Sequence, residues 1–149
     1  MTGDAGLRIK NALVSVSDKS GLEELVRYLD KNKVSIFSTG GTANFIESLG
    51  VNVTHISEIT NFPEIMDGRV KTLSPLIYGG ILNRSGIDDH VQKEHKMVNL
   101  DLMVINLYPF EETISKDNIN ESDAIENIDI GGPSMIRASA KNFYHKAIL

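Results

Sequence analysis

Ala12-Leu13-Val14-Ser15-Val16, Ser20-Gly21-Leu22-Glu23, Val34-Ser35-Ile36-Phe37 and Ser38-Thr39-Gly40-Gly41-Thr42 follow one another in the stretch whose reading decides the fold. The first and third pieces are short apolar runs bounded by turn residues, which is the mark of buried strands. Between them, Ser20 to Glu23 has the spacing of a capping box and predicts a helix with Leu22, Leu25, Val26 and Leu29 on one face. After Thr42 a second helix is expected, with Ala43, Ile46 and Leu49 turned inward and Gly50 at its end, then a third strand from Val51 to Ile56. Strands that alternate with helices in this way build a parallel sheet covered by helices. The predicted fold class is α/β, in three layers, with a mostly parallel sheet and helices on both faces.

Further along the chain, Pro63, Gly68, Pro75 and the Gly79-Gly80 pair divide Ile59 to Leu82 into loops and short helices. Leu102 to Leu107 reads as another buried strand, ended by Tyr108-Pro109 because proline cannot donate to a central ladder. Asn120 with Asp123 has the pattern of a cap for a helix through Ile125 and Ile128. That helix leads into Asp129-Ile130-Gly131-Gly132-Pro133-Ser134, where Gly132 is read as N-cap and Pro133 as the first helical residue. The helix that follows places Arg137 and Lys141 one turn apart on one face, where like charges repel unless an anion lies near; a solvated basic face is the plainer reading. Tyr144 to Leu149 begins a strand, and the stop at Leu149 without a closing turn reads as a longer architecture cut short.

The 149 residues suit one domain, large enough to bury about 68–70% of the surface its unfolded form exposes. Without cysteine the chain has neither disulfides nor thiolate ligands, which suits a reducing compartment, and cytoplasm is expected. The apolar runs are too short to span a bilayer, so no membrane partner is expected. A net charge of −5 argues against nucleic acid, whose binding needs a broad basic surface. A small anion fits better, because Lys19, Arg69, Lys71, Arg137 and Lys141 lie beside glycines or turn residues while acids gather elsewhere.

In open parallel sheets, ligands bind beyond the carboxyl ends of the strands. Four unusual segments fall there: Ser17-Asp18-Lys19-Ser20, Ser38 to Thr42, Asn106-Leu107-Tyr108 and the Asp129 region. Ser38 to Thr42 has the makings of a phosphate cradle, with glycines that admit a close backbone, hydroxyls that donate and a helix start behind them. It lacks the lysine and spacing of a P-loop and the three glycines of a dinucleotide fingerprint, and an ordinary strand-to-helix turn reads the same way. Gly68-Arg69-Val70-Lys71-Thr72 puts two cations on one side of an extended segment, able to clamp one anion, although an exposed basic strand has the same spacing. His55, His90, His95 and His145 are scattered, so no metal site and no cofactor is expected. Asp129, Lys141, Tyr108 and Lys71 remain as the groups suited to moving protons beside a bound phosphate ester.

These segments, with Phe62-Pro63-Glu64, Asn106 to Phe110 and Ile128 through Asn142, resemble the inosine monophosphate cyclohydrolase domain of bifunctional purine biosynthesis proteins, which has the methylglyoxal-synthase-like fold. The resemblance implies one cyclohydrolase-like domain over residues 1–149, shortened at its C-terminal end, with the folate-dependent transformylase domain absent. It implies ring closure of 5-formamidoimidazole-4-carboxamide ribonucleotide to inosine monophosphate and water, with neither metal nor redox cofactor. By analogy, Ser15, Ser17 and Lys19 with Ser38, Thr39, Gly40, Gly41 and Thr42 surround the phosphate, and Arg69, Lys71 and Thr72 reach the reacting groups. Asn106, Tyr108, Asp129 and Lys141, with the backbone of Ile130, Gly131 and Gly132, complete the base-facing side. Lys71 is the expected donor to the developing oxyanion, and Asp129 and Lys141 move protons with help from Tyr108. Ser74 and Tyr78 stand in a segment where the family commonly has histidines. A purine-precursor ribonucleotide and a second copy of the chain are the implied partners. The rival readings are a methylglyoxal synthase and a nonenzymatic nucleotide-binding or regulatory module of the same fold.

Overall fold

The computed structural model describes residues 6–115 and 119–149. The chain runs β1 (Asn11–Ser15), α1 (Leu22–Lys31), β2 (Ser35–Ser38), α2 (Gly40–Ser48), β3 (Thr54–His55) and α3 (Ile56–Thr60). It continues through α4 (Pro75–Leu82), α5 (Asp89–Glu94), β4 (Leu102–Ile105), α6 (Phe110–Ile114), α7 (Glu121–Glu126), α8 (Gly131–Lys141) and β5 (Ala147–Ile148). Among the described residues the sheet has five strands, all parallel, in the order β3-β2-β1-β4-β5.

Alternation along the strands explains the layers. Ala12, Val14, Ile36, Leu102 and Val104 point to one face and meet Leu22, Val26 and Leu29 of α1 and Ile46 of α2. Leu13, Phe37, Met103 and Ile105 point to the other, against Ile56 of α3, Ile77 and Ile81 of α4, and Met135 and Ala138 of α8. Leu13 and Met103 are fully buried at the centre, and truncating either to alanine costs about 2–5 kcal/mol. The three-layer α/β expectation is what the chain adopts.

Several local expectations need correction. The capping box at Ser20 does not form: Gly21 is the N-cap of α1, in a left-handed conformation and without a side-chain bond. The Ser20 hydroxyl instead donates to Asp18 Oδ1 at 2.7 Å, and the Ser20 amide donates to the same oxygen at 2.9 Å. The third strand is only two residues long. α8 starts at Gly131 with Ile130 as its N-cap, so Pro133 lies at the third helical position rather than the first. Asn120 does cap α7 as expected, accepting from the Asp123 amide at 2.7 Å. The segment after Tyr108 contains the short α6.

The strand order places the topological switch between β1 and β4, since the chain adds β2 and β3 on one side of β1 before returning to its other side. A crevice opens there at the carboxyl edge of the sheet. The opposite edge is closed by a buried polar network. Lys146 Nζ donates to Asn83 Oδ1 at 2.7 Å and to Asn99 Oδ1, while Asn99 Nδ2 bonds Asp101 Oδ1. Asp101 Oδ2 accepts the amides of Lys10 and Asn11 at 2.9 and 3.0 Å. Asn142 Nδ2 donates to the carbonyls of Ile81 and Asn83, both at 2.8 Å. Among the described residues no helix is long and apolar enough to cross a membrane.

Candidate active site

A cavity of about 560 Å³ lies in the crevice at the switch point. From the turns after β1 and β2 it is lined by Ser15, Ser17, Lys19, Thr39, Gly41 and Thr42. Arg69, Lys71 and Thr72 enter from the loop before α4, Asn106 and Tyr108 from the end of β4, and Asp129, Ile130, Gly131 and Gly132 from the start of α8. Residues far apart in sequence therefore meet at one strand edge, as the four-segment pattern anticipated.

The polar contacts sort these residues by what they still have to offer. The Ser38 hydroxyl is fully buried and donates to the Val14 carbonyl at 2.6 Å, so Ser38 ties β2 to β1 and does not line the cavity. Thr42 Oγ1 donates to the Val16 carbonyl at 2.9 Å and accepts the Val16 amide at 3.3 Å. Two of the hydroxyls read as phosphate donors, those of Ser38 and Thr42, thus hold strand ends together. What the turn leaves for a ligand are the early amides of α2, which have no carbonyl partner within the helix. Gly40 also lies outside the lining, at a φ of 50° that favours glycine, with its amide donating to Glu64 Oε1 at 3.2 Å.

Asn106 is committed on both sides of its amide. Its Oδ1 accepts the amides of Ser17 at 2.6 Å and Asp18 at 3.2 Å, and its Nδ2 donates to the Asp18 carbonyl at 2.7 Å. Asn106, expected to face a base, lines the cavity and also clamps the β1–α1 turn across the switch point. Bonds from the Ser20 hydroxyl and amide in that turn lower the pKa of Asp18. Lys19 Nζ reaches back to the Ser17 carbonyl at 3.4 Å.

Arg69 and Lys71 both line the cavity, and they differ in what already engages them. The Arg69 guanidinium forms a two-pronged ion pair with Glu126 of α7, with Nε at 3.1 Å from Oε2. That contact raises the arginine's pKa and lowers the glutamate's. The backbone between Ile65 and Val70 folds into a tight antiparallel turn rather than an extended segment, and both side chains line the cavity. Lys71 forms no ion pair among the described residues.

Asp129 is held at the mouth of α8, where its Oδ1 accepts the Gly132 amide at 2.9 Å. Both glycines of the turn are required by space. A Cβ at Gly132 would lie 2.6 Å from Asp129 Oδ2 and 2.8 Å from Leu107 Cδ2, and one at Gly131 would lie 2.9 Å from Thr72 Oγ1. Lys141 is the clearest displacement from expectation. It is exposed at the last residue of α8, about 15 Å along the helix from Gly131, beside the Asn142 network at the opposite sheet edge. The i, i+4 relation to Arg137 is real, but it concerns the wrong end of the helix. Ser74 caps α4, accepting the Leu76 amide at 3.3 Å. The Tyr78 hydroxyl is buried, which pushes its pKa up, with Ser134 pulling the other way. Neither reaches the main cavity.

Sequence reasoning missed two acids. Glu126 and Glu64 are set against the cavity's cations and amides, and only Glu64 had a signal, the Phe62-Pro63-Glu64 motif. Tyr108 lines the cavity and is half-exposed.

The MGS-like domain family model matches residues 21–134. The chain is 53% identical over 142 residues to the bifunctional purine biosynthesis protein PurH of Xanthomonas euvesicatoria pv. vesicatoria, an alignment covering 95% of this chain and 27% of that protein. It is 54% identical over 143 residues to PurH of Neisseria meningitidis serogroup C, with the same two coverages of 95% and 27%. The chain spans about a quarter of the length of these relatives. Among solved structures, the crystal structure of ForH superposes with a TM-score of 0.77 at 31% identity, covering 93% of this chain and 70% of that one. With the parallel sheet, its switch-point cavity and a family match across most of its length, the chain belongs to the MGS-like domain family.

Proposed function

We propose that this chain closes the pyrimidine ring of 5-formamidoimidazole-4-carboxamide ribonucleotide, giving inosine monophosphate and water in purine biosynthesis. The observation that carries the reading is the meeting of Lys19, Lys71, Asp129 and the α2 and α8 helix starts around one cavity, in a chain more than half identical to PurH proteins. Lys19 and the first amides of α2 offer a seat for the phosphate. Attack of the carboxamide nitrogen on the formyl carbon forms the new C–N bond and places charge on the formyl oxygen. In this reading Lys71 is the donor there, and one such preorganised donor is worth about 2.7–4 kcal/mol. The resulting carbinol loses its oxygen as water once that oxygen is protonated, while a ring nitrogen gives up its proton. Asp129 is the group for proton removal, fixed by the Gly132 amide, and Tyr108 assists at the departing water. Lys141 has no step in this scheme.

Nothing in the scheme calls for a metal or redox cofactor, since the closure neither oxidises nor reduces the substrate. The reading includes cytoplasmic location and a homodimer, the latter supported by the exposed Phe110 and Ile114 of α6 and the exposed Ile125 and Ile128 at the cavity, and checked by sedimentation. A binding-only module is the second reading, favoured by the placement of Lys141 away from the cavity. The deciding experiment supplies the formamido-carboxamide ribonucleotide to the purified chain and follows inosine monophosphate by ultraviolet absorbance, with Lys71→Ala as control. Product that disappears in the control supports ring closure. Bound inosine monophosphate without turnover supports the module.

A further inference from the structure

Glu64 is an acid with no place in the scheme above, yet it lies beside both features the scheme needs. Its Oε1 accepts the Gly40 amide at 3.2 Å, at the start of α2. The turn has no other side-chain cap, because Thr39 makes none. On its far side the same carboxylate stands near Lys71, beyond ion-pair distance of it. A Cβ built at Gly40 would stand 3.8 Å from Lys71 Nζ and 4.0 Å from Glu64 Oε1. One built at Gly68 would stand 3.7 Å from Lys71 Nζ and 3.9 Å from Glu64 Oε2. Carboxylate and ammonium therefore share the gap between the two glycines, one from the α2 turn and one from the Ile65–Val70 turn.

A helix start attracts one anion strongly, and two anions at the same amide repel each other. We propose that Glu64 is a positioning residue: it occupies the Gly40 amide, which sits at the cavity rim between the lining residues Thr39 and Gly41, until a ligand's phosphate displaces it, and its charge keeps the Lys71 ammonium in the gap where it meets substrate. An exposed acid can serve in this way because it gives up one solvent-accessible hydrogen bond on displacement and regains water. The two effects have opposite signs, and a purely structural cap would not produce that pattern. Loss of a structural cap loosens the turn and weakens phosphate binding together with turnover.

The test uses Glu64→Gln and Glu64→Asp in the full chain, with inorganic phosphate as the binding probe by calorimetry and ring closure as the second readout. Glu64→Gln keeps the shape, weakens the hold on the Gly40 amide and removes the charge. It is expected to bind phosphate about threefold or more tightly, the order of a single helix-terminus charge effect, while kcat falls severalfold and the thermal midpoint stays put. Glu64→Asp keeps the charge but shortens the reach, and should recover most of the turnover while still binding phosphate more tightly than wild type. Should Glu64→Gln fail to fold, Glu64→Asp carries the phosphate comparison. Unchanged or weaker phosphate binding in the folded variant overturns the proposal. The turnover arm rests on the ring-closing reading and the phosphate arm does not, so a wild-type chain that makes no product sinks that reading alone.

Discussion

The two edges of the sheet handle polar groups in opposite ways. At the N-terminal edge, Lys146, Asn83, Asn99, Asp101 and Asn142 satisfy one another and nearby backbone. At the carboxyl edge, Lys71 has no ion-pair partner among the described residues and Tyr108 is half-exposed over a cavity. Closed networks stabilise a fold, because a buried polar group without a partner costs about 1–3 kcal/mol. Open ones bind and react, because their hydrogen-bonding capacity is still available. Substitutions at the two edges should therefore separate activity from stability.

The largest expected effect lies at the open edge. Asp129→Asn retains the acceptor for the Gly132 amide but cannot take a proton, so kcat should fall on the order of 10²–10⁴-fold. Binding of inosine monophosphate should change far less, and the thermal midpoint should hold. Equal turnover in variant and wild type would remove Asp129 from the chemistry. Next comes Gly132→Ala, whose methyl must displace the Asp129 carboxylate or Leu107. A displacement on the order of 1 Å can cost about 10²-fold in rate, to be read as kcat beside an unchanged circular dichroism spectrum. A fully active Gly132→Ala chain would mean that Asp129 has no fixed position to lose.

The same contrast explains what could be read from the sequence. Strands β1, β2 and β4 were legible because their side chains are buried on both faces and so form unbroken apolar runs; all four residues of β4 are buried. The location of the open edge was legible too, since glycines and hydroxyl residues followed β1 and β2 and Asn106-Leu107-Tyr108 followed β4. The roles within it were harder, because they depend on partners remote in the chain. Asn106 bonds residues 88 and 89 positions away, and Arg69 pairs with Glu126, 57 positions away. Local spacing shows neither. Lys141 shows the limit of helical periodicity: it fixes the face of a helix and says nothing about which end reaches the ligand. At Ser20 the helix begins one residue later than the capping box requires, with Gly21 as N-cap, and the serine's hydroxyl and amide both donate to Asp18 Oδ1.

Asn142→Ala moves the test to the closed edge. The variant leaves the buried carbonyls of Ile81 and Asn83 without the donor they share, a loss of about 1–3 kcal/mol. Urea denaturation should show a lower midpoint, while kcat of the folded fraction stays at the wild-type level. A drop in kcat with no loss of stability would break the division between the edges.

The smallest and most discriminating effect is a pH dependence at Lys146. Burial brings its pKa down from 10.5 to about 8, with Asp101 pulling weakly the other way. Below pH 8 both folded and unfolded chains hold the proton, so the folded state bears the full cost of a buried cation. Between about 8 and 10.5 the unfolded chain holds the proton while the folded chain releases it. The stability contributed by this group therefore rises with pH across that window. Other lysines titrate in the same range, so the quantity to measure is the difference in unfolding free energy between wild type and Lys146→Met at pH 7 and pH 10. That difference should shift in favour of wild type at the higher pH. A flat difference would mean that water reaches Lys146 and that the N-terminal edge is as open as the carboxyl edge, which would leave the two ends of the sheet without the physical distinction drawn between them.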